Sequence, residues 1–243
     1  MLSNFFNSPV IIPTVTASSQ NAAFANGDIV FDWVSFDIPR GPARLLGATI
    51  SIRSNDVKSS VAPLDLIFAK DAGTNTAPAT LGTANAVLGV AGFSRTDIIG
   101  FLPGALADMT GEGVTSTAVT YQTTATPAPG LILESSPNSG GTTGTDRFYV
   151  GGLAGGALDL TAGTTVDGTP GTGQANLDVT GDDATTVFAA EDVIHAEDDR
   201  LMGTIASLDS DDIVMAANLA NAGVNAKKIY NINPIRIILH FEK

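Results

Sequence analysis

The 243-residue sequence offers very few side chains that could carry covalent chemistry: it has two histidines and no cysteine. A nucleophile–base–acid arrangement would need His195 or His240 beside a serine and a carboxylate. His240 sits in an apolar C-terminal run, where a histidine most simply faces solvent or a neighbouring subunit. His195 lies in the densest acidic cluster of the chain, residues 191–199, with Glu191, Asp192, Glu197, Asp198 and Asp199 around it and Arg200 behind. Carboxylates suit Ca²⁺, a hard cation that takes oxygen ligands, but the alternating ligands, central glycine and terminal Glu of an EF-hand are missing here. The default reading is a solvated acidic loop in which Arg200 pairs with one member, and Ca²⁺ binding stays open at this point. The run Gly151-Gly152-Leu153-Ala154-Gly155-Gly156 lacks the lysine of a phosphate-binding loop, and no helix follows it. It reads instead as a place of close backbone approach, packed against another subunit. No catalytic, cofactor-binding or metal-binding residue is therefore assigned, and the expectation is a protein that is not an enzyme and needs no cofactor.

Composition narrows the remaining classes. Charged residues make up only 15%, hydrophobic residues 44%, and the formal net charge is −13 from 12 basic and 25 acidic side chains. Nucleic-acid binding needs a cluster of Lys and Arg to neutralise phosphates, and the basic residues here are few and scattered. No basic patch reads as a membrane surface, and no apolar run approaches the roughly 20 residues of a spanning helix. The first residues lack the basic region of a signal peptide, and Pro9 and Pro13 interrupt the apolar stretch, so synthesis in the cytoplasm without an export signal is expected.

The elements that would hold these residues read as strands. Residues 29–36 are rich in β-branched and aromatic side chains, and the segments around Ile50-Ser51-Ile52 and Leu64-Asp65-Leu66 alternate with period two. Ile98 to Leu102, Leu131 to Leu133 and Arg147 to Val150 are shorter strand candidates. Trp33 is assigned to core or inter-strand packing. Ala105 to Met109 admits one helical turn, Leu81 to Val90 is ambiguous, and helix content should be low. Near the end, Gly203 to Leu208 and Ile213 to Ala217 flank the acidic turn Asp209-Ser210-Asp211-Asp212 as a β-hairpin. In the last run, Ile235, Ile237, Leu239 and Phe241 share one face and Arg236 and His240 the other. The fold class expected is mainly β. It comprises a β-sandwich or jelly-roll-like domain over 1–112, a Gly/Thr-rich β excursion or arm over 113–180, and a small β-barrel-like segment with a closing strand over 181–243.

Two segments carry a resemblance. The first is Leu64-Asp65-Leu66-Ile67-Phe68-Ala69, followed by Leu81-Gly82-Thr83-Ala84-Asn85-Ala86 and Asp97-Ile98-Ile99-Gly100. The second is Glu191-Asp192-Val193-Ile194, then Met202 to Ser210 and Ile213-Val214-Met215. Both resemble structural proteins of tailed bacteriophage virions, and capsid decoration (cement) proteins are the best fit. The resemblance implies a non-enzymatic homo-oligomer, with a trimer expected, that binds the major capsid protein and resides on the capsid surface of the virion. Its alternatives are a neck, tail or baseplate structural protein, or a β-sandwich carbohydrate-binding module for host adsorption. A charge-poor surface of Gly, Ala and Thr is compatible with association, because it gives up little hydration and few rotamers.

Overall fold

The computed structural model describes residues 9–53, 63–71, 76–89, 97–104, 118–124, 131–134, 141, 144–160, 164–180 and 184–243. The helical turn expected at Ala105 to Met109 lies outside them. Mainly β was the expectation, and mainly β is what the chain forms. The strands are β1 (Val10–Ile11), β2 (Ile29–Pro39), β3 (Ala43–Arg53), β4 (Leu64–Lys70), β5 (Ile98–Leu102), β6 (Ala118–Thr124), β7 (Leu131–Leu133) and β8 (Thr145–Ala154), then β9 (Thr164–Val166), β10 (Asn176–Thr180), β11 (Val193–Ala196), β12 (Leu201–Asp209), β13 (Asp212–Met215), β14 (Lys228–Asn231) and β15 (Ile235–Glu242). Among the described residues, helix is confined to a 3₁₀ turn at Ser18–Asn21 and one α-turn, α1 (Ala184–Val187).

Two sheets face one another. One has the order β1-β15-β3-β6, with β7 also pairing β3, and the other has the order β2-β8-β4-β5. Four antiparallel pairings nest inside each other along the chain: β1 with β15, β2 with β8, β3 with β6 and β7, and β4 with β5. Nesting of this kind is one long antiparallel ribbon rolled up on itself. The pairings β15 with β3 and β8 with β4 then close each sheet. This is the topology of a jelly roll.

The core follows from period-two alternation. Ile50, Ile52, Ile235, Ile237 and Leu239 point inward from the first sheet and meet Ile38, Leu64, Leu66, Phe148 and Val150 from the second. Phe36 stands at the centre: its ring stacks on Phe148 at 6.0 Å and on Phe241 of the opposite sheet at 6.2 Å, and meets Phe68 edge-on at 6.3 Å. Each such side chain contributes about 1.5–3 kcal/mol on full burial. The outer face of the second sheet carries its own cover. Leu81, from the 76–89 segment, packs on Ile29, Ile67 and Leu153, with Trp33 partly buried beside them. The Trp33 indole Nε1 donates to the Ala79 carbonyl at 2.8 Å, which holds that cover down.

Between β8 and β15 the chain builds a second body, a closed barrel in the order β10-β13-β12-β11-β14-β9. Its interior is filled by Val166, Leu177, Ile194, Met202, Ile205, Ile213 and Ile229, none of which belongs to the sandwich core. The barrel-like segment expected over 181–243 thus draws on β9 and β10, from within 164–180, and yields β15 to the sandwich. The stretch read as a β excursion or arm over 113–180 supplies β6, β7 and β8 to the sandwich sheets. The acidic hairpin forms as read: Asp209 pairs with Asp212 across Ser210 and Asp211, with Ser210 at a φ of 49°.

The glycines at 151 and 152 have a different use from the one expected. They sit inside β8, and the crowding they relieve comes from the chain itself. A Cβ on Gly152 would lie 2.1 Å from the Phe31 ring, and one on Gly151 would lie 2.5 Å from Leu81. No second subunit is needed to explain them. Gly152→Ala should destabilise the fold by about 1–3 kcal/mol through overpacking, read as a lower urea midpoint with unchanged slope. A variant as stable as the wild type would refute that account of β8.

Candidate functional site

The barrel is seated on the sandwich by the segment that follows β1. The pairing of that strand with β15 ends at Ile11, and the chain crosses to the barrel, where the Val15 N–H donates to the Ile232 carbonyl at 2.8 Å. Gln20, almost fully buried, spends its amide on both sides: Nε2 donates to the Val15 carbonyl at 3.1 Å and to the Asn231 carbonyl at 2.9 Å. Tyr230, wholly buried, donates its hydroxyl to the Asn21 side chain at 2.7 Å. Burial, with Glu197 and Asp159 adding to it, pushes the Tyr230 phenol up to about 12, so it remains a donor through the physiological range. Ala17, Ile232 and Val193 complete a small apolar contact around it.

On the other side of the same junction lies a cleft of about 370 Å³. Its sandwich wall is formed by Ile12, Ser51, Arg53 and Arg236, and its barrel wall by Glu191 and Asp192. The strand pattern explains the polar wall, since Ser51 and Arg236 are register partners on the outer face of the sheet while Ile52 and Ile235 point into the core. Arg53 reaches across to pair with Asp192, which also accepts the Ala189 N–H at 2.8 Å. Burial raises the Asp192 carboxyl above its ordinary value, and the Arg53 charge and the hydrogen bonds from Ala189, Arg53 and Asn231 only partly offset this. Glu191 has a φ of 74°, a left-handed conformation that is uncommon for a residue with a side chain. Among the described residues, neither Arg236 nor Glu191 forms an ion pair.

The acidic cluster around His195 comes apart in three dimensions. Asp192 turns to Arg53, Glu197 to Lys227, and Asp198 to Arg200 at 2.8 Å, while Asp199 accepts the Ser18 N–H at 2.9 Å. The Lys227 ammonium lowers the Glu197 carboxyl, and the Arg200 guanidinium lowers that of Asp198. Among the described residues no three Asp, Glu or His side chains converge in a way that could hold a metal ion. The pairing of Arg200 with one member is the part of the sequence reading that the geometry bears out. His195 Nδ1 lies 2.8 Å from the Asp199 carbonyl in its own turn, and His240 Nε2 lies 2.8 Å from Thr49 Oγ1 on the outer face of the sandwich. The two histidines are therefore on different sheets, and each is engaged with a local partner.

No protein-family model matches the chain, and no curated protein matches it. The site must be read from its own residues. What it can do is bind and brace: Arg53 is committed to Asp192, and Arg236 and Glu191, which form no ion pair among the described residues, stand on opposite walls beside exposed Ile12. Gln20, Arg53 and Tyr230 carry the junction, yet nothing in the sequence marked them, because their partners lie 139 to 211 residues away. Removing Arg53 leaves the Asp192 carboxylate half-sheltered without its counter-charge. Arg53→Ala should cost about 1–3 kcal/mol near neutral pH. The variant raises the folded-state pKa of Asp192 further, so the deficit should shrink as pH falls and the carboxyl takes up a proton. Denaturant titrations at several pH values check this, and a deficit that does not vary with pH contradicts it.

Proposed function

We propose that the chain is a virion structural protein, a capsid decoration protein that self-associates and binds the major capsid protein to stabilise the head. The observation that carries the reading is the strand order of the sandwich. The rolled-up ribbon of eight positions is an architecture used by viral capsid domains, and also by lectins and cupins. A fold alone does not select among these functions, so the surface has to.

Three features of the surface favour an assembly part. The outer faces and edges of both sheets expose large apolar side chains, with Val10, Ile12, Phe101 and Ile132 each at least half exposed. The tryptophan and the tyrosines whose side chains are described are committed elsewhere, Trp33 tied to Ala79 and Tyr149 and Tyr230 buried, which leaves Phe101 as the exposed aromatic among the described residues. The histidines are engaged in separate local contacts, which leaves binding as the chemistry best supported. The resemblance of residues 64–69 and 202–215 to phage particle proteins points the same way, and both segments are core strands of the two bodies, β4 and β12–β13.

Mature, expanded capsids lacking this protein provide the test. Added protein should bind saturably over the shell and raise the temperature at which the heads release their DNA. Binding confined to the portal or tail would place the protein in the neck or tail instead. Failure to bind any part of the particle would remove the virion reading.

A further inference from the structure

The two sheets of the sandwich are finished differently on their outer faces. The second sheet is covered by the 76–89 segment, whose Leu81 packs on Ile67 and Leu153. The first sheet has no such cover among the described residues, and Val10 and Ile12 are each at least half exposed on it. Val10 is the register partner of Ile238, and Ile238 that of Thr49. Continued by two residues, the same register sets Ile12 alongside Arg236, which pairs in turn with Ser51. The face therefore carries an apolar stripe of Val10, Ile12 and Ile238 bordered by small polar side chains. The stripe runs into the cleft at the barrel junction, where Ile12, Ser51 and Arg236 lie on one wall and Glu191 on the other.

Charge decides what can lie on this face. The chain carries a net charge of −13, so two copies repel one another over most of their surface. Around the cleft the balance is even. Arg53 is paired with Asp192, while Arg236 and Glu191 are exposed and form no ion pair among the described residues. One cation and one anion on the same face are self-complementary under a two-fold axis, because in such a contact residue i meets j and j meets i. We propose that the outer face of the first sheet pairs two copies of the chain about a two-fold axis beside Ile12, with Arg236 of each copy meeting Glu191 of the other. Glu191 is offered by a turn that is already fixed. Its N–H donates to the Ile205 carbonyl at 2.9 Å, the Asp192 N–H donates to the Ala189 carbonyl at 3.2 Å, and the Asp192 carboxylate accepts the Ala189 N–H at 2.8 Å. Little freedom is then lost on contact. The apolar stripes meet at the centre with the charges at the rim, as in other protein interfaces. This pairing rests on the self-association of the decoration reading and gives it a surface, with a dimer where the resemblance implies a trimer.

Sedimentation of the full-length protein over a concentration series tests the pairing. The wild type should pass from monomer to dimer. Arg236→Glu and Glu191→Arg should each weaken dimerisation roughly tenfold or more, since each sets like charges against one another. Mixed in equal amounts, the two variants should form a heterodimer, because both contacts then join opposite charges, and the double variant should dimerise with itself. Ile12→Asp should also dissociate the dimer, through the loss of its apolar centre. A wild type that stays monomeric or forms trimers, or single variants that do not recover on mixing, would overturn the proposal. Binding to capsids is read separately. A monomeric wild type that still coats the heads overturns the pairing alone, and a dimer whose charge variants recover on mixing stands even where no part of the particle binds it.

Discussion

The pairing of β15 with β3 along almost its full length is the contact on which the rest of the structure depends. The eight register pairs from Ile235 with Ile52 to Glu242 with Arg44 put the last strand of the chain between β1 and β3, inside a sheet and not at its edge. Without β15, the inner faces of β3 and of the opposing sheet lose Ile235, Ile237, Leu239 and Phe241, and the Phe36 ring loses its stacking partner Phe241 from the other side. Two ion pairs stitch the same region from outside. Arg44 pairs with Glu242 across these two strands, and Arg147 holds Asp37 in a two-pronged contact across β2 and β8. Exposed pairs of this kind are each worth little, so the apolar seam between the sheets carries the stability.

That constraint dictates where the barrel can be. β15 cannot take its place until the chain has left β8, built six strands and come back. The insertion must therefore begin and end near the same end of the sandwich. A barrel closes on itself and leaves no edge to pair with the sheets beside it, which makes it well suited to interrupting a jelly roll without disturbing it. The separate cores express this division, and the crossing segment at residues 13–21 is what joins them. Long-range pairing of the first strand with the last also makes the sandwich slow to form, because loop-closure entropy precedes any reward from contact. The barrel, whose strands span fewer residues, has no such delay.

Much of this was legible in the alternation of apolar and polar side chains. β2, β3, β4, β12, β13 and β15 are visible as written, down to the inward set of Ile235, Ile237, Leu239 and Phe241. The exceptions have physical causes. Gly151 and Gly152 interrupt the pattern of β8 because the close approach of Leu81 and Phe31 leaves no room for a side chain, and a residue without a side chain shows no period. β9 and β10 are three and five residues long and sit among Gly and Thr, so their few apolar positions, Val166, Leu177 and Val179, were too sparse to announce a barrel strand. Ile67 breaks the alternation of β4 because the outer face is also buried, under Leu81. The junction residues could not be read at all, since a buried Gln or a cross-body Arg looks ordinary until its distant partner is placed.

The chemistry of the junction bears on what the two bodies can do together. A purely apolar seat would let the barrel slide or roll, because dispersion contacts are non-directional. The seat here is dominated by directed bonds instead: the forked amide of Gln20, the Tyr230 hydroxyl, the Val15 ladder bond and the Arg53 guanidinium, with a small apolar patch at Ala17 and Ile232. These partners approach from β3, from the crossing segment and from two barrel strands, β11 and β14, or their flanks, so they resist rotation from several directions. Each bond alone is worth about 0.5–1.5 kcal/mol net, and buried donors left unpaired cost more than that. The angle between sandwich and barrel is thereby fixed by geometry and not by contact area. For the proposed decoration role such a fixed angle is an advantage, since any play at the junction would be lost as ordering entropy on assembly.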